Sequence, residues 1–211
     1  MNRTLSGQFG VTRLYLQMKA RESGMPDESL WASFFQPELI LDRLLLRELV
    51  GDVVEFGCGY GTFTLPAARR TTGVVHALDI EPEMVTGLAA KIKAARCDNV
   101  RPIRRDFVAH GTGLRDDSIA YAMLFNILHA EESPSMLAEV LRVLAPGGLL
   151  GVMHWNYDPA TPRGPSMSIR PRPEQLMTRA TAAGFNIIEP GLIDLPPWHY
   201  GMVFRKPAAE L

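Results

Sequence analysis

The chain has 211 residues, of which 46% are hydrophobic and 21% are charged, a composition typical of one ordinary globular domain. Its 22 basic and 23 acidic side chains nearly cancel, which argues against nucleic acid or an anionic membrane as partner. No apolar run approaches the roughly 20 residues that span a bilayer, and no secretory signal is evident. Two cysteines give neither a disulfide framework nor zinc spacing. We therefore expect a single cytoplasmic domain over residues 1–211, without a metal.

The first 50 residues are predicted to be helical. Gln36-Pro37-Glu38 begins the clearest helix, with proline in its first turn and an acid near the positive end of the helix dipole. Gly51 is the predicted stop. The apolar positions expected on one side of this helix are Leu39, Ile40, Leu44, Leu45 and Leu49.

The middle of the chain alternates strand-like and helix-like segments, which predicts a mostly parallel sheet covered by helices. The predicted strands are Asp52–Phe56, Val74–Leu78, Val100–Arg105, Ser118–Phe125 and Leu149–Trp155. The predicted helices cover Phe63–Arg70, a segment that begins at Pro82, and Ser133–Leu144. Pro102 cannot donate a hydrogen bond to a neighbouring strand, so the third strand is expected at an edge of the sheet.

The last part of the chain begins with a loop over Asn156–Pro173 that is rich in Pro, Gly and Arg. A helix is predicted over Glu174–Ala183. Two strands follow, Phe185–Ile193 and Trp198–Arg205, and their short connection requires an antiparallel pair. The predicted fold class is α/β: a doubly wound, mostly parallel seven-stranded sheet with an antiparallel last strand and helices on both faces.

Three closely spaced glycines, Gly57, Gly59 and Gly61, stand between the first strand and its helix. Such a turn at the carboxyl end of a strand is typical of a ligand site, because glycine lets the backbone approach the ligand. The dinucleotide fingerprint places its third glycine or alanine one position later, where this chain has Thr62. The spacing disfavours NAD(P) as the ligand but leaves it open.

The segment Glu55–Gly61 resembles the first motif of class I S-adenosylmethionine-dependent methyltransferases. Further matches follow in the order of that family, over about residues 50–155. They are Ala77-Leu78-Asp79, Arg105-Asp106-Phe107, Leu124-Phe125-Asn126 and Leu144-Ala145-Pro146-Gly147-Gly148. The resemblance implies a Rossmann-like methyltransferase fold with S-adenosylmethionine as cofactor and S-adenosylhomocysteine as product.

The resemblance also implies roles for individual residues. The glycine turn, with Cys58 inside it, would form the cofactor cradle. Around it, the implied ligands are Asp79 and its neighbour Ile80 for the ribose, Asp106 and Phe107 for the adenine, and Glu55 and Asn126 for the cationic end. The alternative role for each aspartate is a helix cap or turn residue, and for Glu55 it is ordering of the turn.

Methyl transfer is an in-line displacement, which requires a base only when the acceptor must lose a proton. His129 follows the fourth strand and is the candidate catalytic base, because an imidazole has a pKa of about 6.5 when unperturbed. Its alternative role is to pack over the cofactor or to cap the next helix. His154 and Trp155 end the fifth strand, where they line the acceptor pocket or belong to the core.

Within the single domain we expect three regions. Residues 1–50 form a helical lid or cap, residues 51–155 form the cofactor-binding core, and residues 156–211 form a substrate loop and the terminal strand pair. In related methyltransferases the amino-terminal segment often folds over the cofactor. The aromatic residues suited to such a lid, with core packing as their alternative, are Trp31, Phe34 and Phe35.

Little of the chain remains to recognise a macromolecule, so we expect a small-molecule acceptor and no nucleic acid or membrane partner. Arg163, Arg170 and Arg172 in the loop either bind an acidic group of this acceptor or are solvated. Two alternative functions stay open: an NAD(P)-binding Rossmann oxidoreductase and a non-catalytic S-adenosylmethionine-binding subunit.

Overall fold

The computed structural model describes residues 25–129 and 133–208. By its contacts the chain divides into two compact units, Met1–Ser33 and Phe34–Leu211. The described part of the first unit contains one short helix, α1 (Glu28–Ala32), whose N-cap Asp27 accepts a hydrogen bond from the Leu30 amide. Helices expected over residues 1–24 lie outside the described residues.

The second unit is an α/β structure in which strands and helices alternate as expected. Its helices are α2 (Pro37–Arg43), α3 (Thr64–Ala68), α4 (Pro82–Ala95), α5 (Phe107–His110), α6 (Ser133–Val143) and α7 (Pro173–Ala182). Its strands are β1 (Asp52–Phe56), β2 (Val75–Asp79), β3 (Val100–Arg104), β4 (Ile119–Phe125), β5 (Leu144–Trp155), β6 (Asn186–Ile187), β7 (Ile193–Leu195) and β8 (His199–Arg205).

The strands form one sheet in the order β3-β2-β1-β4-β5-β8-β6, and β7 also pairs with β8. The first five strands are parallel, whereas β8 is antiparallel to β5, β6 and β7. In register, Phe56 lies beside Leu78 on one side and Leu124 on the other. The carboxyl ends of β1, β2 and β4 therefore meet at one edge of the sheet.

The predicted architecture is confirmed, with local differences in the strands. Pro102 lies on β3, which is an edge strand as expected. The predicted strand Phe185–Ile193 is two short strands, because a turn at Pro190 and Gly191, where φ is +81°, interrupts it. The sheet consequently has eight strands rather than seven.

Residues that alternate along β4 are buried on both faces of the sheet, as expected when helices cover both. Ala122 and Leu124 join the hydrophobic core that α6 and α7 complete. Tyr121 and Met123 point to the other face and are equally buried. The Tyr121 hydroxyl donates a hydrogen bond of 2.6 Å to the backbone carbonyl of Leu44, just after α2.

The predicted extent of the first clear helix is wrong. α2 ends at Arg43, and Leu45 has a left-handed φ of +63° and a side chain that is largely exposed. This residue redirects the chain so that Leu46 is buried in its place and donates its amide to the Leu41 carbonyl. Leu49 lies beyond the helix and forms an isolated β-bridge with Thr71.

Candidate functional site

The glycine turn adopts a conformation that requires glycine. Gly57, Gly59 and Gly61 have φ values of +71°, +50° and +78°, in the left-handed region that β-carbons disfavour. Gly61 is further restricted because a β-carbon there would lie 2.6 Å from Cδ1 of Leu88 on α4. Its amide donates to the Cys58 carbonyl at 2.9 Å, which closes the turn on itself.

Other amides of the turn bind the end of the neighbouring strand β2. The amides of Gly57 and Cys58 both donate to the Leu78 carbonyl, at 2.8 and 2.9 Å. The Gly59 amide donates to Oδ2 of Asp79 at 2.8 Å. With the Gly61 bond, four of the five amides between positions 57 and 61 are therefore occupied within the protein, and the turn is already in a fixed shape.

Asp79 stands at the tip of β2, next to the turn, as its motif predicts. Its Oδ2 accepts the Gly59 amide and its Oδ1 accepts the Glu81 amide at 3.0 Å. The side chain is buried, and this burial raises the pKa of the carboxyl. Ile80 follows directly and is half-buried. The remaining lone pairs of the Asp79 carboxylate suit a hydroxyl-rich ligand such as a ribose.

Glu55 lies on β1 directly behind the turn. Its carboxyl is buried and accepts a hydrogen bond of 2.5 Å from the Thr64 hydroxyl at the start of α3. Burial, together with the nearby charge of Asp79, raises the pKa of Glu55 to about 8. Thr64 is not among the predicted site residues, although a hydroxyl residue in the first turn of the helix after the glycines is the available signal.

Cys58 occupies the turn as a small buried residue. Burial and the two carboxyls of Glu55 and Asp79 raise the pKa of its thiol, so the reactive thiolate is disfavoured. The side chain thus suits a packing role in the cradle rather than a nucleophilic one.

Asp106 and Phe107 follow β3. Oδ1 of Asp106 accepts the Ala109 amide at 2.9 Å, so the carboxylate caps the short helix α5. The Phe107 ring packs edge-on against Phe56, with ring centroids 5.2 Å apart. The helix-cap alternative is thus present for Asp106, and an adenine contact for either residue stays a prediction.

Asn126 and His129 follow the carboxyl end of β4. Asn126 has a φ of +60°, and its side-chain Oδ1 is buried without a hydrogen-bond partner among the described residues. Nδ1 of His129 is likewise buried and unpartnered within that part of the chain. Burial lowers the pKa of His129, although a hydrogen bond with the Asn126 backbone raises it in part. The imidazole is therefore neutral at pH 7 and able to accept a proton.

Two further histidines are completely buried beside this position. His154 on β5 and His199 on β8 have no partner for either ring nitrogen within the described ranges. The rings of His154 and His129 are 5.7 Å apart between centroids, and His199 stacks on Phe35 at 4.8 Å. Burial lowers the pKa of His199 to about 3 and that of His154 well below its usual value. Both are therefore neutral, and His199 was not predicted as a site residue.

Phe34 and Phe35, the two aromatic residues directly before α2, belong to the packed interior of the second unit. The Phe34 ring meets Trp155 edge-on at 5.4 Å, and the Phe35 ring meets Phe63 at the same distance. The core-packing alternative therefore applies to Phe34 and Phe35. Trp31 is part of the first unit.

In the part of the chain that the structure describes, no group of three or more His, Cys, Asp or Glu side chains is arranged to hold a metal ion. A separate search of the same residues finds no helix that combines the length and the apolar character needed to cross a bilayer.

Comparison with known proteins agrees with the motifs. Residues 53–148 match a family described as a methyltransferase domain. A curated protein of Schizosaccharomyces pombe, described as an uncharacterized methyltransferase-like protein, is 29% identical over 117 residues. The aligned segment is 56% of this chain and 42% of the yeast protein, so the chain spans less than half the length of this relative.

Solved structures share the fold at low sequence identity. A SAM-dependent methyltransferase from Aquifex aeolicus has a TM-score of 0.74 at 21% identity, over 85% of this chain and 94% of that one. The [4+2]-cyclase SpnF has 0.70 at 17%, over 96% and 95%. A geranyl diphosphate methyltransferase in complex with SAM has 0.66 at 17%, over 85% of each chain.

The predicted resemblance is confirmed by the family match over the strands that carry the glycine turn and by the fold shared with solved methyltransferase structures. Over residues 53–148 this chain is therefore similar to a methyltransferase domain, and it shares the fold of a SAM-dependent methyltransferase of known structure.

Proposed function

We propose that this chain is an S-adenosylmethionine-dependent methyltransferase that transfers the methyl group in line to a small-molecule acceptor. The observation that carries the proposal is the chemistry of the glycine turn. Its amides are mostly bonded within the protein, and two buried acidic side chains, Glu55 and Asp79, stand at it. This surface suits a ligand that is cationic and rich in hydroxyl groups.

The same observation disfavours NAD(P), the first alternative. A pyrophosphate needs amide hydrogens at a glycine-rich turn and the positive end of the next helix. Here four amides are already occupied, and α3 is only five residues long. The Asp79 carboxylate at the turn would moreover repel a phosphate when it is ionised.

The hydrogen-bond donors and acceptors of the described residues match those of S-adenosylmethionine. Asp79 would accept the two ribose hydroxyls, and the glycine turn would leave room for the nucleoside. Oδ1 of Asn126 is a buried acceptor without a donor, which the ammonium of the cofactor would supply. When bound, this cofactor supplies a methyl group on a cationic sulfur.

His129 is the residue we propose to take the proton of an acceptor that must lose one. It follows β4 at the same sheet edge as the turn, and its buried neutral ring has an unpartnered Nδ1. A base held in this way typically contributes about 10²- to 10⁴-fold to the rate. The buried rings of His154 and His199 would exclude water from the acceptor side.

The first experiment is a calorimetric titration of the full chain with S-adenosylhomocysteine and, separately, with NADH and NADPH. We expect binding of S-adenosylhomocysteine alone. Binding of a nicotinamide cofactor alone would overturn the proposal in favour of the oxidoreductase. A native mass spectrum of the purified protein provides an independent check, because a co-purified nucleoside is identified by its mass.

The second experiment tests catalysis, because the neighbour named as a cyclase shows that this fold is not restricted to methyl transfer. Release of S-adenosylhomocysteine is measured over a library of small acceptors. The variant His129→Gln should then lower turnover by about 10²-fold or more and leave cofactor affinity unchanged. Equal losses in both would favour the packing role of His129, and no turnover with any acceptor would favour a non-catalytic subunit.

In-line transfer makes a prediction of its own. A methyl group made chiral with hydrogen isotopes should arrive on the acceptor with inverted configuration. Retention of configuration would require two successive transfers and would contradict the one-step displacement.

A further inference from the structure

A cavity of about 280 Å³ lies between the loop that follows β5 and the start of α7. The described polar residues that line it are His129, Tyr157, Ser168, Arg170, Arg172, Gln175 and Arg179. None of the described lining residues carries a carboxyl group. The described lining is therefore positively charged, and it reaches the acceptor side of the sheet through His129.

The shape of the loop depends on the buried side chain of Arg170. Its Nε and Nη2 donate to the Pro165 carbonyl at 3.1 and 2.9 Å, and Nη1 donates to the carbonyls of Asn156 and Asp158 and to the Thr161 hydroxyl. A fourth carbonyl, of Arg163, accepts from Nη2 at 3.3 Å. All five guanidinium hydrogens are thus occupied within the loop, so Arg170 neither binds a ligand nor is solvated.

The other two arginines of the cavity retain donor capacity. Neither Arg172 nor Arg179 forms an ion pair with any residue in the described ranges. The Arg172 guanidinium stacks on the Tyr157 ring, with Cζ 3.9 Å from its centroid, which leaves the hydrogens at its edge available. Arg179 makes one long contact of 3.4 Å to the Leu128 carbonyl.

The start of α7 adds to the positive character of the cavity. α7 has ten residues and begins at Pro173, so the positive end of its dipole lies at this wall. The Gln175 side chain accepts the Arg172 amide at 2.8 Å, which holds the arginine backbone in place. Glu174, in the first turn of the same helix, is exposed and is not among the lining residues.

We infer that this cavity binds an anionic group, a carboxylate or a phosphate, of the acceptor through Arg172 and Arg179. Guanidinium groups form paired hydrogen bonds with both anions. An acceptor anchored there extends past His129, whose ring faces the buried His154. The inference rests on the proposed function, because it assigns the substrate class of that same site.

The experiment titrates the full chain, saturated with S-adenosylhomocysteine, with phenyl phosphate and with benzoate. The variants are Arg172→Gln, Arg179→Gln and the double variant. The matched control is Arg115→Gln, which removes the same charge from an exposed position before β4. We expect each single variant to weaken binding of at least one probe about 10-fold, and the double variant to abolish it. The control should bind both probes like the wild type.

The two probes also distinguish the anion. Tighter binding of phenyl phosphate indicates a phosphorylated acceptor, and tighter binding of benzoate indicates a carboxylic acid. Equal affinity of the wild type and the double variant for both probes would overturn the inference. So would an acceptor screen in which the double variant methylates anionic compounds at the wild-type rate.

Failure of the inference is separable from failure of the proposed function. Affinity for S-adenosylhomocysteine is measured on every variant and should be unchanged, since both arginines lie outside the glycine turn. Loss of that binding in the wild type would overturn the function. Unchanged cofactor binding without an effect of Arg172 or Arg179 on the probes would overturn the anion site alone.

Discussion

The carboxyl edge of the sheet has two halves, the cofactor half at the glycine turn and the acceptor half beside the buried histidines. They differ in how many of their buried polar groups have hydrogen-bond partners within the protein. At the glycine turn, four amides and both oxygens of Asp79 have partners within the protein. On the other half, His154 and His199 bury four ring nitrogens without partners among the described residues. An unsatisfied buried polar group costs about 1–3 kcal/mol. The glycine turn is thus complete by itself, whereas the other half retains polar groups that only a ligand or water would satisfy.

The two halves also differ in charge. The Asp79 carboxylate gives the turn an acidic group, and Arg172 and Arg179 give the cavity beyond His129 a basic character. Opposite signs at neighbouring sites would allow the proposed cationic cofactor and anionic acceptor to be distinguished by electrostatics. The following predictions test this difference between the glycine turn, whose polar groups are bonded within the protein, and the other half, where buried polar groups lack partners.

The largest effect is expected at the turn, if it is rigid as described. Gly61→Val should lower the free energy of unfolding by about 3 kcal/mol, because it combines left-handed strain with overpacking against Leu88. The measurement is urea denaturation. Gly87→Ala is the control, since a β-carbon there meets nothing within 4 Å, and it should stabilise α4 by about 0.5–1 kcal/mol. Wild-type stability of Gly61→Val would show that the turn is plastic.

An intermediate effect is expected from the ligand groups of the turn. Asp79→Ala should weaken S-adenosylhomocysteine binding by about 1–3 kcal/mol, as loss of a charged hydrogen-bond acceptor does. Calorimetry measures the affinity, and the exposed Asp98→Ala serves as control for the change in charge. Unchanged affinity of Asp79→Ala would remove the ribose role of this residue.

The smallest effect concerns the buried histidines and depends on pH. The folded pKa of His199 is lowered to about 3, so above pH 6.5 the ring is neutral in both states and its contribution is complete. As the pH falls from 6.5 towards 3, the unfolded state binds a proton that the folded state does not. Stability is then lost by about 1 kcal/mol per pH unit.

The variant His199→Leu isolates this contribution. The raised pKa of Glu55 acts in the opposite direction, because the folded carboxyl holds its proton up to about pH 8. Wild type and variant are therefore compared at each pH, and the advantage of the leucine variant should grow from pH 7 to pH 5. The exposed His110→Leu is the matched control. A difference that does not vary with pH would show that His199 has a partner in solution.

Much of the cofactor half could be predicted from the sequence, because its signals are local. Positive φ values at Gly57, Gly59 and Gly61 follow from the residue type, and Asp79 ends its strand within the same motif. The Thr64–Glu55 bond was missed, since it joins a strand to the next helix and neither residue is unusual alone.

The acceptor half depends on contacts between distant parts of the chain. Alternation along a strand with one solvent-exposed face would expose every second residue of β8, yet β8 is covered on both faces and six of its seven residues, His199 among them, are buried. Burial therefore does not alternate along it. Arg170 was predicted to be solvated or to bind an anion, because sequence cannot show that loop carbonyls converge on it. The early end of α2 was missed for the same reason, since Leu45 leaves the helix in favour of packing by Leu46.

The way in which Arg170 holds its loop has a consequence for how specificity can change. Four of its five partner groups are main-chain oxygens, which every amino acid possesses, and the exception is the Thr161 hydroxyl. Neighbouring side chains such as Met167, Ser168 and Ile169 can therefore be exchanged without removing any of these bonds. These side chains can therefore change during selection for a new acceptor while the hydrogen bonds that fold the loop are kept.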